Sequence, residues 1–531
     1  MDDNYEPEWG LFFGGGTIND QNTQGSDEAN CVEVDSNGDV YIAGQTRSYN
    51  LLYKDPGGAY IDSTLTGGTD IFVAKFDENG YKEWATYYGG YGDDIYINAE
   101  DMAIDSNDNL YVVGRRDNSF ETYTQTGAMN ETIGRCFILK FSSSHQRVWS
   151  TIFGGSGMSE TITGITCDAG NNVYVTGWTN SSSYFKTEDP QGSSDFFEGS
   201  SSGGLDAFIA SFDSNNSLSW STYFGGEGYD SGHAIAVDDI GNIYVTGQSR
   251  SDTFPVYNAP SPDLAYYHGP INDPNETWGD IFVAKFNSNY ARLACILMGG
   301  DYGEVGMDII VGNSGRILIT GLTESGDFPD LNNNPTNLWS QNSLSNYSDG
   351  NEDGIISALN PALNPLWTTF YGGGSGYDGF DAGLGLANYQ NKLYVVGATD
   401  SHSTKIPLAD VGGNANYQNS SGGNVDGFFA SINTDPLPVV SITEYKDLSN
   451  SIKVFPNPTF GQLNILLNSK PKSDYRIKII DITGKLMLDE TYENIIGERV
   501  ISLDLSDVPK SIYMLQITSN EQSVGRKIIV Q

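Results

Sequence analysis

Six near-copies of one unit of about 70 residues fill most of this chain, and a repeat of that length leaves few folds open. The clearest mark is a tryptophan, alanine in one copy, followed five residues later by Gly-Gly. It occurs as Trp9 with Gly14-Gly15, Trp84 with Gly89-Gly90, Trp149 with Gly154-Gly155, Trp220 with Gly225-Gly226, Ala294 with Gly299-Gly300 and Trp367 with Gly372-Gly373. Successive copies stand 75, 65, 71, 74 and 73 residues apart. A second mark places a turn residue six positions before an aromatic: Asp35 and Tyr41, Asp105 and Tyr111, Asp168 and Tyr174, Asp238 and Tyr244, a degenerate Gly312 and Leu318, and Asn388 and Tyr394. A third is an apolar run near the end of each unit, such as DIFVAKF at 70–76 and DAFIASF at 206–212.

Each unit reads as four short strands, exemplified by AIAVD (234–238), IYVTG (243–247), DIFVAKF (280–286) and WSTYF (220–224). Glycine-bearing turns such as Asp238–Asn242 join the first two. A four-stranded unit cannot bury both faces alone, but units arranged radially bury them against each other. A linear solenoid is the alternative, although its repeats are usually about 20–45 residues. The expectation is a six-bladed β-propeller over residues 1–435. The sixth unit has first, second and third strands near 382–386, 393–397 and 426–432 but no WSTYF copy, while the chain opens on that strand alone, as Trp9–Phe13. Residues 9–13 are therefore expected to close the ring by pairing with 426–432, which removes both sheet edges.

The charge balance excludes other classes. With 27 Lys+Arg against 68 Asp+Glu the net charge is −41, which excludes nucleic acid as a main partner. No window of about 18 apolar residues is present, so no membrane-spanning helix is expected. Cys31, Cys136, Cys167 and Cys295 form no CxxC and read as buried free thiols.

The residues YVTG with a following Phe254-Pro255, the GGLDAFIA run at 203–210 and WSTYFGGEGYD at 220–230 resemble the bacterial SBBP-type β-propeller repeat. That resemblance implies the propeller and usually a secreted setting, and it implies no single activity.

Composition changes near residue 436. Residues 441–531 hold 8 Lys and 3 Arg against 11 Asp+Glu, so the repeat region carries the whole charge. Residues 436–450 read as a linker, and 451–531 as seven short strands in an Ig-like β-sandwich. Val454-Phe455-Pro456-Asn457-Pro458-Thr459-Phe460-Gly461, Asp481–Lys485 with Gly484, Ser511–Leu515 and Arg526-Lys527-Ile528-Ile529-Val530 resemble the type A sorting domain of the type IX secretion system of Bacteroidetes-type bacteria. The family usually has glycine where Ser511 stands. The resemblance implies the type IX machinery as a partner and an extracellular or outer-surface location. Such cargo first crosses the inner membrane with a signal peptide. Residues 1–8 have neither its basic region nor its apolar core, so a leader is expected to be missing from this chain.

No HExxH, GxSxG or metal-ligand spacing of histidines is present. Short DxNG pieces (Asp35–Gly38, Asp77–Gly80) read as hairpin turns rather than calcium loops. Long segments between second and third strands, such as 178–205 and 248–279, are expected on one face of the ring, where function tends to sit. Their aromatics, among them Trp178, Tyr184, Tyr266, Tyr267, Trp278 and Trp339, have two available roles. They pin the loops to the blades, or they stack on the apolar faces of a polysaccharide or cell-surface glycan. Asp94, Asp230 and Asp378 follow the Gly-Gly pairs at matching positions, with Asp20, Glu160 and Glu304 nearby but offset. They either cap turns or hold Ca²⁺. The leading reading is a non-catalytic binding or adhesion protein. A secreted polysaccharide-degrading enzyme and a structural surface-layer component are the alternatives.

Overall fold

The computed structural model describes residues 9–15, 25–51, 53–66, 68–90, 97–116, 120–190, 195–257, 279–312, 315–325, 328, 352–371, 380–389, 392–399, 425–433, 452–455, 459, 462–481, 486–505, 508–519 and 522–530. The regular elements among them are strands, and the chain divides into two compact units, Met1–Pro438 and Val439–Gln531.

In the first unit antiparallel sheets follow one another in chain order. Strands β1–β4 span Asp27–Val34, Val40–Thr46, Asp70–Phe76 and Lys82–Tyr88; β5–β8 span Asn98–Ile104, Leu110–Arg115, Cys136–Phe141 and Arg147–Phe153. Strands β9–β12 span Glu160–Cys167, Val173–Thr179, Asp206–Phe212 and Leu218–Phe224; β13–β16 span Asp230–Val237, Ile243–Ser249, Asp280–Phe286 and Arg292–Met298. Strands β17–β20 span Glu304–Val311, Ile317–Thr323, Asp353–Leu359 and Pro365–Tyr371, and β21–β23 span Asp381–Tyr389, Lys392–Thr399 and Asp426–Asn433. Each set is a meander. The third strands β3, β7, β11, β15 and β19 are buried at every position, which is why their sequences are unbroken apolar runs rather than alternating ones.

The Asp-to-Tyr spacing has a specific cause. Asp238 Oδ1 accepts hydrogen bonds from the turn amides of Ile240 and Asn242, and Oδ2 accepts one from the Tyr244 hydroxyl at 3.1 Å. Asp168 holds Gly170, Asn172 and Tyr174 in the same way. In the DxNG pieces Asp35 caps Asn37 and Asp39, and Asp77 caps Asn79 and Tyr81, so both are Asx turns of hairpins.

The tryptophan is a staple. Trp84, Trp149 and Trp220 are buried on the fourth strand, and each indole N–H donates to a carbonyl of the long loop of its own sheet: Tyr60 at 3.0 Å, Met129 at 2.7 Å and Phe196 at 2.9 Å. The amide of that same loop residue donates onward to His145, Asn216 or Tyr290 in the last turn of the next sheet. These three turn residues have φ of 60°, 64° and 63°. The loops also pair with the fourth strand through Lys54 and Ala85, Tyr123 and Ser150, Glu188 and Ser221, and Tyr257 and Cys295. In the first four sheets the described parts of the long loops therefore run along the outer edge of the sheet, and do not simply gather over one face as expected. The physical reason is that an outer strand presents unpaired amides that something must cover.

Residues 9–15 form no ladder, so the expected pairing of 9–13 with β23 is not formed in this structure. They nonetheless pack as a fourth strand does. Phe13 lies 5.2 Å from Phe72 and 5.6 Å from Phe76, as Phe224 lies 5.7 Å from both Phe282 and Phe286. Phe12 is fully exposed, whereas Tyr87, Ile152, Tyr223, Leu297 and Phe370 at the same place in later copies are at most 4% exposed.

The second unit holds β24 (Ile452–Phe455), β25 (Gln462–Asp481), β26 (Leu486–Asp504), β27 (Ser511–Ser519) and β28 (Gln522–Val530) in one sheet ordered β24-β25-β27-β28, with β26 also paired to β25. Five strands replace the seven expected because two pairs of segments are continuous. The β25–β26 register shifts between Ser469 and Ser473, around Pro471, so the strands bend where the sequence suggested turns. One core unites Leu463, Ile465, Leu467, Ile477, Ile479, Leu515, Ile517 and Ile528.

Replacing Trp220 by Phe should lower stability by about 1 kcal/mol, because the half-buried Phe196 carbonyl loses its donor, and Trp220→Ala by about 3–5 kcal/mol. Chemical denaturation followed by tryptophan fluorescence reads both.

Candidate functional site

Each inner strand of five sheets begins with an acid facing a hydroxyl on the second strand: Asp27 with Thr46, Glu160 with Thr179, Asp230 with Ser249, Glu304 with Thr323 and Asp381 with Thr399. Asp230 is fully buried. Its Oδ1 accepts from Ser249 Oγ at 2.5 Å, and its Oδ2 from Ser251 Oγ at 2.6 Å and the Gly226 amide at 2.7 Å. Asp27 accepts from Thr46, Ser48 and Gly15. Glu160 accepts from Thr179, Ser181 and Gly155. The Gly-Gly pairs follow from this packing. A β-carbon on Gly225 would lie 2.7 Å from both Asp206 Oδ1 and Asp230 Oδ2, and one on Gly226 would lie 2.7 Å from the Ser251 side chain.

A second acid stands beside the first at two junctions. Asp206 and Asp280 begin the third strand of one sheet and meet the head acid of the next. A β-carbon on Gly299 would lie 2.2 Å from Asp280 Oδ1 and 2.6 Å from Glu304 Oε2. Asp206 Oδ2 and Asp280 Oδ2 are buried without a hydrogen-bond partner. Burial pushes Asp280 up to about 7. Burial, with Asp230 adding repulsion, pushes Asp206 to about 6. Burial raises the head acids as well, Asp230 above its ordinary range and Glu304 well above it with Asp280 adding repulsion, so each corner holds its two carboxyls by sharing protons rather than as two full charges.

This arrangement assigns the sequence candidates. Asp230 is a closed structural cap whose oxygens are taken by protein donors, which favours the turn-cap role over Ca²⁺ at that residue. Asp94 and Asp378 lie outside the described residues; in the sixth sheet the head position belongs to Asp381. Glu160 and Glu304, offset in the count from Gly-Gly, are true equivalents of Asp230. Among the described residues no group of three His, Cys, Asp or Glu side chains converges as a metal-ligand set. Trp178 is on β10, half-buried, with its ring 5.7 Å from that of His233, whose pKa burial lowers to about 4. Tyr184 is 74% exposed at a φ of 61°. Tyr266, Tyr267, Trp278 and Trp339 lie outside the described residues, as do Pro456, Asn457, Pro458, Gly461 and Gly484. Lys527 pairs with Met514 in the β27–β28 ladder. The sequence reading missed three exposed side chains on the Gly-Gly loops themselves: Met158, Tyr229 and Tyr302, at 66%, 59% and 51% exposure.

Residues 453–531 match the family described as secretion system C-terminal sorting domain. Residues 83–121, 148–185 and 219–255 match the β-propeller repeat SBBP. The chain carries SBBP propeller repeats followed by a type IX sorting domain. The sorting domain implies secretion to the cell surface or the extracellular space. An uncharacterized WD repeat-containing protein of Acanthamoeba polyphaga mimivirus is 24% identical over 305 residues, which is 49% of this chain and 21% of that protein. This chain thus spans about a fifth of that relative's length. A Bacteroides caccae protein of unknown function is 10% identical, with a TM-score of 0.32 over 61% of this chain and 78% of the other. A Xanthomonas campestris gluconolactonase is 10% identical, with a TM-score of 0.26 over 55% and 68%. No helix among the described residues is long and apolar enough to cross a membrane.

The paired carboxyls set a pH dependence. Asp280 rises from 3.8 to about 7 and Asp206 from 3.8 to about 6, so the folded state binds protons that the unfolded chain releases. Their contribution is complete below about pH 4 and lost as pH rises through about 6–7. The melting temperature should fall across that window, and Asp280→Asn should flatten the fall. Thermal melts of both proteins against pH read this.

Proposed function

We propose that the chain is a secreted, non-catalytic binding protein that presents the Gly-Gly loops of a six-bladed ring to a polysaccharide or cell-surface glycan. The observation that carries this reading is the set of exposed Tyr184, Tyr229, Tyr302 and Met158 on and beside loops whose backbone is pinned from beneath by buried carboxylates. Rings held out on a rigid backbone lose little entropy when a flat apolar ligand face stacks on them.

The ring comprises residues 1–435, with 9–13 as the fourth strand of the last blade, residues 436–450 as linker, and 451–531 as an Ig-like sandwich for export. Closure draws support from the packing of Phe13 on β3 and from the exposure of Phe12, whose counterparts are all covered. It also draws on the inner strands. Burial chiefly, with Asp308 of β17 adding repulsion, raises Glu33 of β1 to about 7, which fits first and fifth blades facing a common channel. The enzyme reading gains nothing from the paired carboxyls Asp280 and Glu304, which are sealed from solvent.

In a host with a type IX system, removing 439–531 should leave a folded, non-exported propeller, while the exported protein should be retained on a glycan array. Export of the truncated chain overturns the sorting role. Absence of binding to any glycan by the purified, folded full chain overturns the binding role.

A further inference from the structure

Each of the inner strands β1, β5, β9, β13, β17 and β21 carries a β-bulge at the same place in its register with the second strand. The extra residue is Asn30, Glu100, Thr163 or His233 in the first four sheets, and Met307 or Leu384 in the last two. A bulge frees that residue from the ladder and re-aims its side chain. Two residues nearer the Gly-Gly end, the inner strand pairs Glu28 with Gln45, Asn98 with Arg115, Thr161 with Trp178 and Ser231 with Gln248. In the last two sheets the same pair is Val305 with Leu322 and Ala382 with Ala398. Sheets one to four thus carry a hydrogen-bonding side chain at every one of these positions. Sheets five and six carry only hydrocarbon and thioether groups.

Neighbouring inner strands are stitched together at this level. Asn30 Nδ2 donates to Asn98 Oδ1 at 2.5 Å and to the Ala99 carbonyl at 3.0 Å, and Asn98 Nδ2 donates to Glu100 at 3.1 Å. Thr163 Oγ1 donates to the Gly232 carbonyl at 2.8 Å. The Trp178 ring lies 5.7 Å from that of His233, whose Nε2 is 3.0 Å from Ser231 Oγ. Gln248 Nε2 donates to the Glu304 carbonyl at 3.2 Å. The residue after the bulge supplies the other stitches: Asp101 accepts the Ile165 amide at 2.9 Å, and Asp308 accepts the Leu386 amide at 2.7 Å. Asp308 also acts across the ring. Burial chiefly, with repulsion from Asp308 added, raises Glu33 of β1 to about 7 and Asp101 of β5 well above its usual range. The polar arc and the apolar arc therefore face one lumen, and carboxyls from both sides crowd its floor just below the bulges. Arg115 is engaged with the Met158 carbonyl, 3.2 Å away, and is not a ligand group here.

We infer that this lumen, entered from the Gly-Gly end, is a subsite for the terminal sugar of a glycan chain, a reading that rests on the proposed glycan-binding role and the proposed ring. A pyranose has the same two kinds of surface. Its hydroxyls meet the arc of Asn30, Asn98, Glu100 and Thr163, and its C–H face lies against Met307 and Leu384. A few placed polar groups beside an apolar wall are the usual lining of a small-ligand site. Asn30 is exposed and Leu384 is 44% exposed, so solvent reaches the mouth. The crowded floor stops a polymer from threading through, so only a chain end enters.

The test uses the full chain and two probes in calorimetric titration, maltohexaose and its cyclic counterpart, which has the same sugars and no chain end. Asn30→Leu and Glu100→Met install residues that other sheets already carry at the bulge, so the strand has a precedent for folding with each. The linear probe should bind at least about tenfold tighter than the cyclic one, and the double variant should erase that preference. Equal binding of the two probes, or an unchanged preference in the folded double variant, overturns the subsite and leaves the glycan-binding role standing. Failure to bind either probe also overturns the subsite, and a glycan array then decides the broader role separately.

Discussion

A carboxylate at the start of the inner strand, present in five of the sheets, is the interaction on which the propeller unit depends. An ionised acid away from water is tolerated only when donors surround it. Asp230 has two serine hydroxyls and the Gly226 amide, and those donors come from three separate places in the chain. Satisfying one carboxylate thereby fixes the end of the second strand, the residue two beyond it and the Gly-Gly corner that enters the blade. The two glycines are then obligatory, because a β-carbon at either would strike an acid or a serine. The third-strand acid is the cost of bringing sheets this close. At two corners it lies near the same glycine as the head acid, and burial raises its pKa there, to about 6 at Asp206 and about 7 at Asp280.

In the first three sheets the tryptophan staple and the loop arms complete the blade. The indole of one sheet holds a loop carbonyl whose amide grips the next sheet, so adjacent blades share a hydrogen-bonded seam as well as an apolar one. A rigid foundation under exposed aromatics suits recognition.

Much of this was legible in the sequence because repeats print the same constraint several times. The strands and the Asx turns followed from copies at matching spacing. The head acids were misaligned because they were counted from Gly-Gly, and the loop between is variable: Gly226 precedes Asp230 by four residues, but Gly155 precedes Glu160 by five and Gly15 precedes Asp27 by twelve. The steadier interval runs the other way, 18 residues from Asp381 to Thr399 and 19 in four other sheets. The hydroxyl partner follows its acid by 19 residues at Asp27, Glu160, Asp230 and Glu304, because a two-strand hairpin has fixed length. Loop arms on the outer edge left no periodic signal, since edge pairing there rests on backbone groups rather than on side-chain pattern. In the sorting domain the alternation of Leu463, Ile465 and Leu467 with Tyr475, Ile477 and Ile479 was readable, but a bend at Pro471 looked like a turn.

The central claim is that all six copies are equivalent, including the one split between the two ends of the repeat region. The register of β11 with β12, carried to the last sheet, sets Phe12 opposite Phe428 and Leu11 opposite Phe429. Cysteines placed at 11 and 429 test this directly, since opposed strand residues are within disulfide reach. Mild oxidation should join them within a monomer and raise its resistance to unfolding. A pair that stays reduced, or that forms only between molecules, would show that residues 9–13 do not complete the last blade.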